Sequence, residues 1–263
     1  MISQVLMVLV LALATVLTGC DEQQRSASGD ATSSSEALSG ETIVFAAASL
    51  TEGFEEIAAA FEEQHPDTRV TFSFGPSSGL AAQIAEHAPA EVFASADEAN
   101  MKKAADAGRV AGAPSVFARN KLEIAVPAGN PKGITGLGDL AEPGTKVVLA
   151  APQVPVGRYG AEALSKAGVT VRPVSLEQDV KAVATKVSLG EADAGIVYRT
   201  DVAAAGGKLQ GITIPDEHNV VAAYPIARIR DAANPELAAA FVDFVLSEAG
   251  RGILVEHGFV PQA

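Results

Sequence analysis

Residues 42–61 read TIVFAAASLTEGFEEIAAAF, and the change of period inside this stretch decides the fold. Thr42–Ala46 is a short apolar run rich in β-branched and aromatic residues, as a buried strand requires. Phe54, Ile57, Ala58 and Phe61 then recur at helical spacing, and His65-Pro66 predicts the end of that helix. Ser49 stands at the junction with Glu52 three residues later, the spacing of a capping box. A strand that runs directly into an amphipathic helix is the building unit of an α/β fold.

The unit recurs along the chain. Strands are predicted over Arg69–Phe74, Glu91–Ser95, Lys121–Val126, Lys146–Ala150, Val169–Val174, Ala194–Tyr198, Gly211–Ile214 and Tyr224–Arg230. Helices are predicted over Ser78–His87, from Asp97 as cap through Ala107, over Gly157–Ala167, Asp179–Leu189, Asn234–Leu246 and Ala249–His257. Strand followed by helix, repeated, predicts a largely parallel sheet. No internal repeat is visible. The strand count suits two lobes better than one sheet. Crossings near Arg119–Leu122 and Ala222–Pro225 give lobe one as 41–120 with 224–263, and lobe two as 121–223.

The two ends of the chain set a different expectation. The first 19 residues carry no charged side chain and end in Leu17-Thr18-Gly19-Cys20, which reads as an export signal. This ending resembles the bacterial lipoprotein signal, in which Cys20 becomes the lipidated N-terminus and anchors the protein to a membrane. Residues 20–40 hold one Leu and no aromatic residue, too little to order themselves, and are expected to form a flexible tether. Random-coil scaling gives it a span of roughly 25 Å. Cys20 is the only cysteine, so the folded body uses neither disulfides nor thiolate chemistry. The formal net charge of -13 argues against a nucleic-acid partner.

The most telling residues are hydroxyls at three strand-to-helix turns: Ser49, Ser77 in SFGPSSGLAAQI, and Tyr198 after Gly195-Ile196-Val197. Helix N-termini carry free N–H groups and bind anions without a cation. In so acidic a chain, an anion would be held by dipoles and donors against the overall field. Gly157 and Asp179-Val180 also stand at helix beginnings.

Five motifs in order, FAAASLTEGFEEIAAAF, SSGLAAQIAEHAPAEVFASAD, VPVGRYGAEAL, EQDVKAV and GIVYRTD, make the chain resemble the periplasmic molybdate-binding proteins of ABC transporters. The similarity runs from Ile43 to about Val260. It implies a two-lobed periplasmic-binding-protein fold of type II, with the ligand in the interlobe cleft and two hinge crossings. It implies that Ser49 and Ser77 donate from lobe one, that Val156 and Val180 donate backbone N–H groups from lobe two, and that Tyr198 donates its phenol. Val156 stands where the family usually has a smaller alanine, and the contact at Ser77 could fall on Ser78 instead. A donor-only cage of this kind suits a fully deprotonated tetrahedral dianion. Phosphate would bring a proton that meets no acceptor, and sulfate would be rejected by size. The expected ligands are molybdate and tungstate, with no cofactor and no directly ligated metal. The expected partners are an ABC permease and a membrane reached by the lipid anchor. The body is expected to be monomeric and to work outside the cytoplasmic membrane.

Plainer readings exist for each residue alone. Ser49 and Ser77 make ordinary helix caps, Val156 and Val180 ordinary core positions, and Tyr198 an ordinary strand-end tyrosine. His65, His87, His218 and His257 are scattered without metal-ligand spacing. The rival enzyme reading rests on Gly75-Pro76-Ser77-Ser78-Gly79, which matches the G-x-S-x-G nucleophile elbow, with Asp193, Asp201 or Asp216 and His218 or His257 in the required order. The alternating strand before it, the proline inside it and the lack of an HGGG-like loop count against a hydrolase. Another oxyanion receptor of the same fold, such as one for sulfate, stays open. An iron site would need paired tyrosines with carboxylates, and the sequence shows no such pairing.

Overall fold

The computed structural model describes residues 37–260. The expected leader, Cys20 and the expected tether up to residue 36 lie outside the described residues. The last residues assigned to that tether are held rather than free. Leu38 packs on the core, the Ser39 carbonyl accepts from Asn234 Nδ2 at 2.9 Å, and Gly40 opens the first strand. No helix among the described residues is long and apolar enough to cross a membrane.

The chain runs β1 (Gly40–Ala47), α1 (Thr51–Gln64), β2 (Thr68–Gly75), α2 (Ser77–Ala85), β3 (Val92–Ala94), α3 (Glu98–Asp106) and β4 (Val110–Pro127). It continues through β5 (Val147–Ala150), α4 (Pro155–Lys166), β6 (Ser175–Glu177), α5 (Val180–Ser188), β7 (Ala194–Tyr198), α6 (Arg199–Ala204) and β8 (Leu209–Thr213). It closes with β9 (Val221–Ile229), α7 (Pro235–Leu246) and α8 (Glu248–Glu256). The strand order is β2-β1-β3-β9-β4-β7-β5-β6, with β8 added to β4.

The sheet is mixed, not largely parallel. β1 pairs in parallel with β2 and β3, and β5 with β6 and β7. Every ladder made by β4 or β9 is antiparallel. The reason lies in topology: these two strands carry the chain between halves and back, so they meet in opposite directions. β4 is 18 residues long and changes partners within itself. It pairs with β9 up to Lys121 and with β7 and β8 from Leu122 onward. One half of the fold therefore holds β1, β2, β3, β9 and the start of β4; the other holds β5 to β8 and its end.

Each half buries its sheet between helices. In β1, Val44 and Ala46 enter one core while Phe45, facing the opposite way, enters a second with Leu80, Ile84, Phe93 and Met101. This is the period-2 alternation of a sheet covered on both faces. Phe61 and Phe241 meet edge to face at 5.6 Å, and Phe54 and Phe241 at 6.2 Å, so α1 and α7 share an aromatic seam. Such pairs are worth about 0.5–1.5 kcal/mol each beyond their buried area.

Two local expectations fail for identifiable reasons. Val169–Val174 forms no strand; Pro173 removes a ladder donor, and the chain joins β5 only from the bond of Val174 N to Val147 O at 2.8 Å, with β6 starting at Ser175. The expected capping box at Ser49 and Glu52 is also absent. Ser49 sits inside a 3₁₀ turn, Ala48–Leu50, and α1 begins at Thr51 without a side-chain cap. Asp97, Asp179, Asn234 and Ser247 do cap their helices, accepting from Asn100 N, Ala182 N, Leu237 N and Gly250 N respectively. α6 lies unforeseen in the turn after Tyr198.

Candidate functional site

The strand-to-helix junctions of both halves meet at one small pocket. Ser49 comes from the turn after β1, Ser77 from the start of α2, Val156 from the start of α4, Val180 from the start of α5 and Tyr198 from the end of β7. All five line this pocket, a cavity of only about 20 Å³. Ser77 is part of the lining and Ser78 is not.

The polypeptide at these junctions offers donors. In α2 the first backbone bond is Gly79 N to Pro76 O at 2.9 Å, so the Ser77 and Ser78 N–H groups precede the helical ladder. In α4 it is Arg158 N to Val154 O at 3.0 Å, leaving Val156 and Gly157 ahead of it. In α5 the Asp179 cap takes Ala182 N at 2.8 Å, leaving Val180 and Lys181 ahead of it. Gly157 is required for the α4 placement. A Cβ there would stand 2.2 Å from Ala151 O and 2.5 Å from Ala150 O, so only glycine lets this helix start press on the end of β5. Val156 is 1% exposed, and its side chain belongs to the core.

The hydroxyls are oriented by their neighbours. Ser77 Oγ accepts from Ala96 N at 3.0 Å, which frees its proton for the pocket. Ser49 Oγ lies 2.9 Å from Tyr224 Oη. Asn120 Nδ2 donates to Thr200 Oγ1 at 2.9 Å and reaches Tyr224 Oη at 3.5 Å. With Asn120 on the donor side, Tyr224 can donate to Ser49, and Ser49 then presents its own proton. The Tyr198 hydroxyl is buried with no hydrogen-bond partner among the described residues. Burial, then the neighbouring Tyr224, pushes its pKa well above the ordinary value, so it stays a neutral donor. Burial pushes Tyr224 up as well.

No Lys, Arg or His lines the pocket among the described residues, and its one carboxylate, Asp179, is turned back onto Ala182 N. The hydrolase constellation is not assembled here. Ser77 has no histidine beside it, and His257 is engaged with Glu56 Oε2 at 2.7 Å instead. One sequence statement is corrected by tertiary structure: the fold does pair two tyrosines. Tyr198 and Tyr224 meet edge to face with ring centres 5.7 Å apart. Both phenols are held protonated, and the Tyr224 hydroxyl is committed to Ser49, so the pair is unlike a metal-binding phenolate set. Tyr224 and Asn120 carried no motif signal, and only the predicted crossings hinted at them; Thr200 lay in the GIVYRTD motif with no role assigned to it.

Two sheet halves joined by crossing strands hold a donor-lined pocket between them, the two-lobed arrangement of periplasmic binding proteins. The description of bacterial extracellular solute-binding proteins matches residues 42–260, and the chain belongs to that family. The molybdate-binding protein ModA of Mycobacterium tuberculosis is 42% identical over 217 residues, covering 82% of this chain and 83% of that protein. The periplasmic molybdate-binding protein of Azotobacter vinelandii shares the fold with a TM-score of 0.75 at 23% identity, over 84% of this chain and 100% of that one. The sulfate-binding protein SubI of Mycobacterium tuberculosis does so with a TM-score of 0.73 at 23% identity, over 84% and 86%.

Proposed function

We propose that this protein is an extracytoplasmic receptor that binds molybdate, and tungstate with it, and delivers the anion to an ABC importer. The observation that carries the reading is the donor-only pocket: Ser49, Ser77 and Tyr198 hydroxyls with the helix starts at Val156 and Val180, and no cation among the lining residues. The identity to a molybdate-binding relative points the same way. A dianion without protons satisfies such a site; protonated phosphate leaves its proton without an acceptor. Molybdate and tungstate are nearly equal in size and bind alike, while smaller sulfate fits the cavity less well. No cofactor takes part.

The working parts are lobe one, 41–120 with 224–263, and lobe two, 121–223, hinged where β4 changes partners and where β9 begins. Each lobe offers only part of the donor set, so the anion stabilises the closed arrangement. The closed form docks on the permease, and opening there releases the anion. A lipid on Cys20 and the tether after it keep the receptor, a monomer, at the outer side of the membrane.

Calorimetric titration of the purified protein with molybdate, tungstate, sulfate and phosphate tests this. Tight binding of the first two, weak binding of sulfate and silence toward phosphate is the expected pattern. Sulfate binding as tightly as molybdate would instead make this a sulfate receptor. Silence toward all four would overturn the oxyanion reading.

A further inference from the structure

Two ion pairs cross from one half of the fold to the other, one on each flank of the pocket. Arg158, on α4, bonds Asp97 Oδ2 through Nη2 at 2.7 Å. Asp97 belongs to the opposite half, where it caps α3 by accepting from Asn100 N at 2.7 Å and Asn100 Nδ2 at 3.0 Å. Its side chain is only 1% exposed. The Arg158 guanidinium also lies 4.7 Å above the Tyr159 ring, so it is clamped between an aromatic face and a buried carboxylate. Lys181, on α5, bonds Glu52 Oε1 and Oε2 at 2.6 and 2.7 Å. Glu52 lies on α1 in the opposite half. Among the described residues the remaining ion pairs stay within one half or sit at the β4 crossing.

The placement along the chain is systematic. Arg158 follows Val156 by two residues and Lys181 follows Val180 by one. Asp97 follows Ala96, whose N–H holds Ser77, and Glu52 follows Ser49 by three residues. None of the four charged residues lines the pocket itself. They cannot act by touching the anion; they act on whether the two sets of donors face each other. Opening the cleft separates α4 and α5 from α3 and α1. It strips the buried Asp97 carboxylate of its cation, an unfavourable change for a desolvated charge.

We propose that Arg158 and Lys181 are positioning residues that latch the two halves shut over the pocket, and that their pairing with Asp97 and Glu52 sets how long a bound anion stays. The inference rests on the anion-clamp reading above. Weakening the latch lowers the closed population, and apparent affinity falls in proportion to that population.

Charge reversal distinguishes a latch from a simple electrostatic field. Lys181→Glu makes the surroundings more negative and Glu52→Lys makes them more positive. A field acting on the anion would weaken binding in the first and tighten it in the second. The latch requires molybdate to dissociate faster in both, by about two- to fivefold for a half-exposed pair, with the double swap returning to the wild-type rate. Arg158→Gln should speed dissociation by on the order of tenfold, since it strands a buried carboxylate, and Arg158→Lys should recover part of the loss. A double swap no slower than the single variants, with Arg158→Gln releasing molybdate at the wild-type rate, would overturn the proposal. If the wild-type protein binds no molybdate, the anion reading fails and the latch is still tested. Hydrogen exchange at the Ser77 and Val156 amides of the empty protein should then be faster in Arg158→Gln and Lys181→Glu, and unchanged exchange would refute it.

Discussion

Tyr198 places a phenolic hydroxyl in the pocket wall without a hydrogen-bond partner among the described residues, and that is costly in a protein interior. The side chain therefore makes opposite contributions to folding and to binding. Tyr198→Phe should leave thermal stability of the empty protein unchanged or slightly raised. The same change should weaken molybdate binding by about 10- to 100-fold, the worth of a hydrogen bond to a charged group. A variant that loses stability but keeps affinity would remove Tyr198 from the site. Gly157 makes the reverse case. Gly157→Ala drives a Cβ into two carbonyl oxygens at the end of β5, so α4 must shift. Overpacking of this kind costs on the order of 1–3 kcal/mol, and both the denaturation midpoint and anion affinity should fall together. Ser49 was legible as a helix-start hydroxyl, but its partner was not. Tyr224 lies far along the chain, and only the return of β9 beside β4 brings it to Ser49.

The turn from β7 into α6 carries a titratable group of its own. Asp201 accepts from Tyr198 N at 3.0 Å through one oxygen, while the other has no hydrogen-bond partner among the described residues. Burial raises its pKa to about 7; Lys181 Nζ at 3.9 Å and the Tyr198 N–H pull it down, and Glu52 and Asp179 push it up. In the unfolded chain an aspartate titrates near 4, as model peptides do. Between roughly pH 4 and 7 the folded protein thus holds a proton that the unfolded chain has released. Stability contributed by this group is complete at the acid end and is lost as pH rises towards 7. Urea midpoints measured between pH 5 and 8 should show this decline, and Asp201→Asn should flatten it while keeping an acceptor for Tyr198 N. A decline of unchanged size in the variant would assign it to other groups. At this scale the sequence was most readable where periodicity ran long, as in α1 and α7. It misled over Val169–Val174, where apolar residues flank a proline, and it did not reveal α6, which has six residues and no clear stripe.

For the whole molecule the main tension is between a net charge of -13 and the anion proposed above as its ligand. The lining contains no Lys, Arg or His, so long-range electrostatics oppose the approach of a dianion while short-range donors reward its arrival. Added monovalent salt screens the repulsion, because the Debye length shrinks to about 10 Å at 0.1 M. The association rate of molybdate should therefore rise with ionic strength over the low-salt range in stopped-flow measurements. A rate that falls instead would mean that a local positive field outweighs the net charge. Binding should also raise the unfolding temperature in step with ligand concentration, since anything that binds only the folded state adds about 2.7 kcal/mol at one hundred times Kd.

Beyond what the family resemblance supplied for Val156 and Val180, the sequence by itself determined the alternation of strands and helices, the helix starts at Asp97, Asp179 and Asn234, and the junction hydroxyls Ser49, Ser77 and Tyr198. These are local matters: spacing, capping chemistry and turn residues act within a few positions of one another, so a linear reading captures them. Only the tertiary structure decided the mixed sheet, the Tyr224–Ser49 contact and the Arg158–Asp97 and Lys181–Glu52 pairs across the cleft. Each depends on β4 and β9 carrying the chain from one half to the other and back. Contacts between residues far apart in the chain follow from how apolar faces pack in three dimensions, and no short-range pattern encodes which distant partner a side chain will meet.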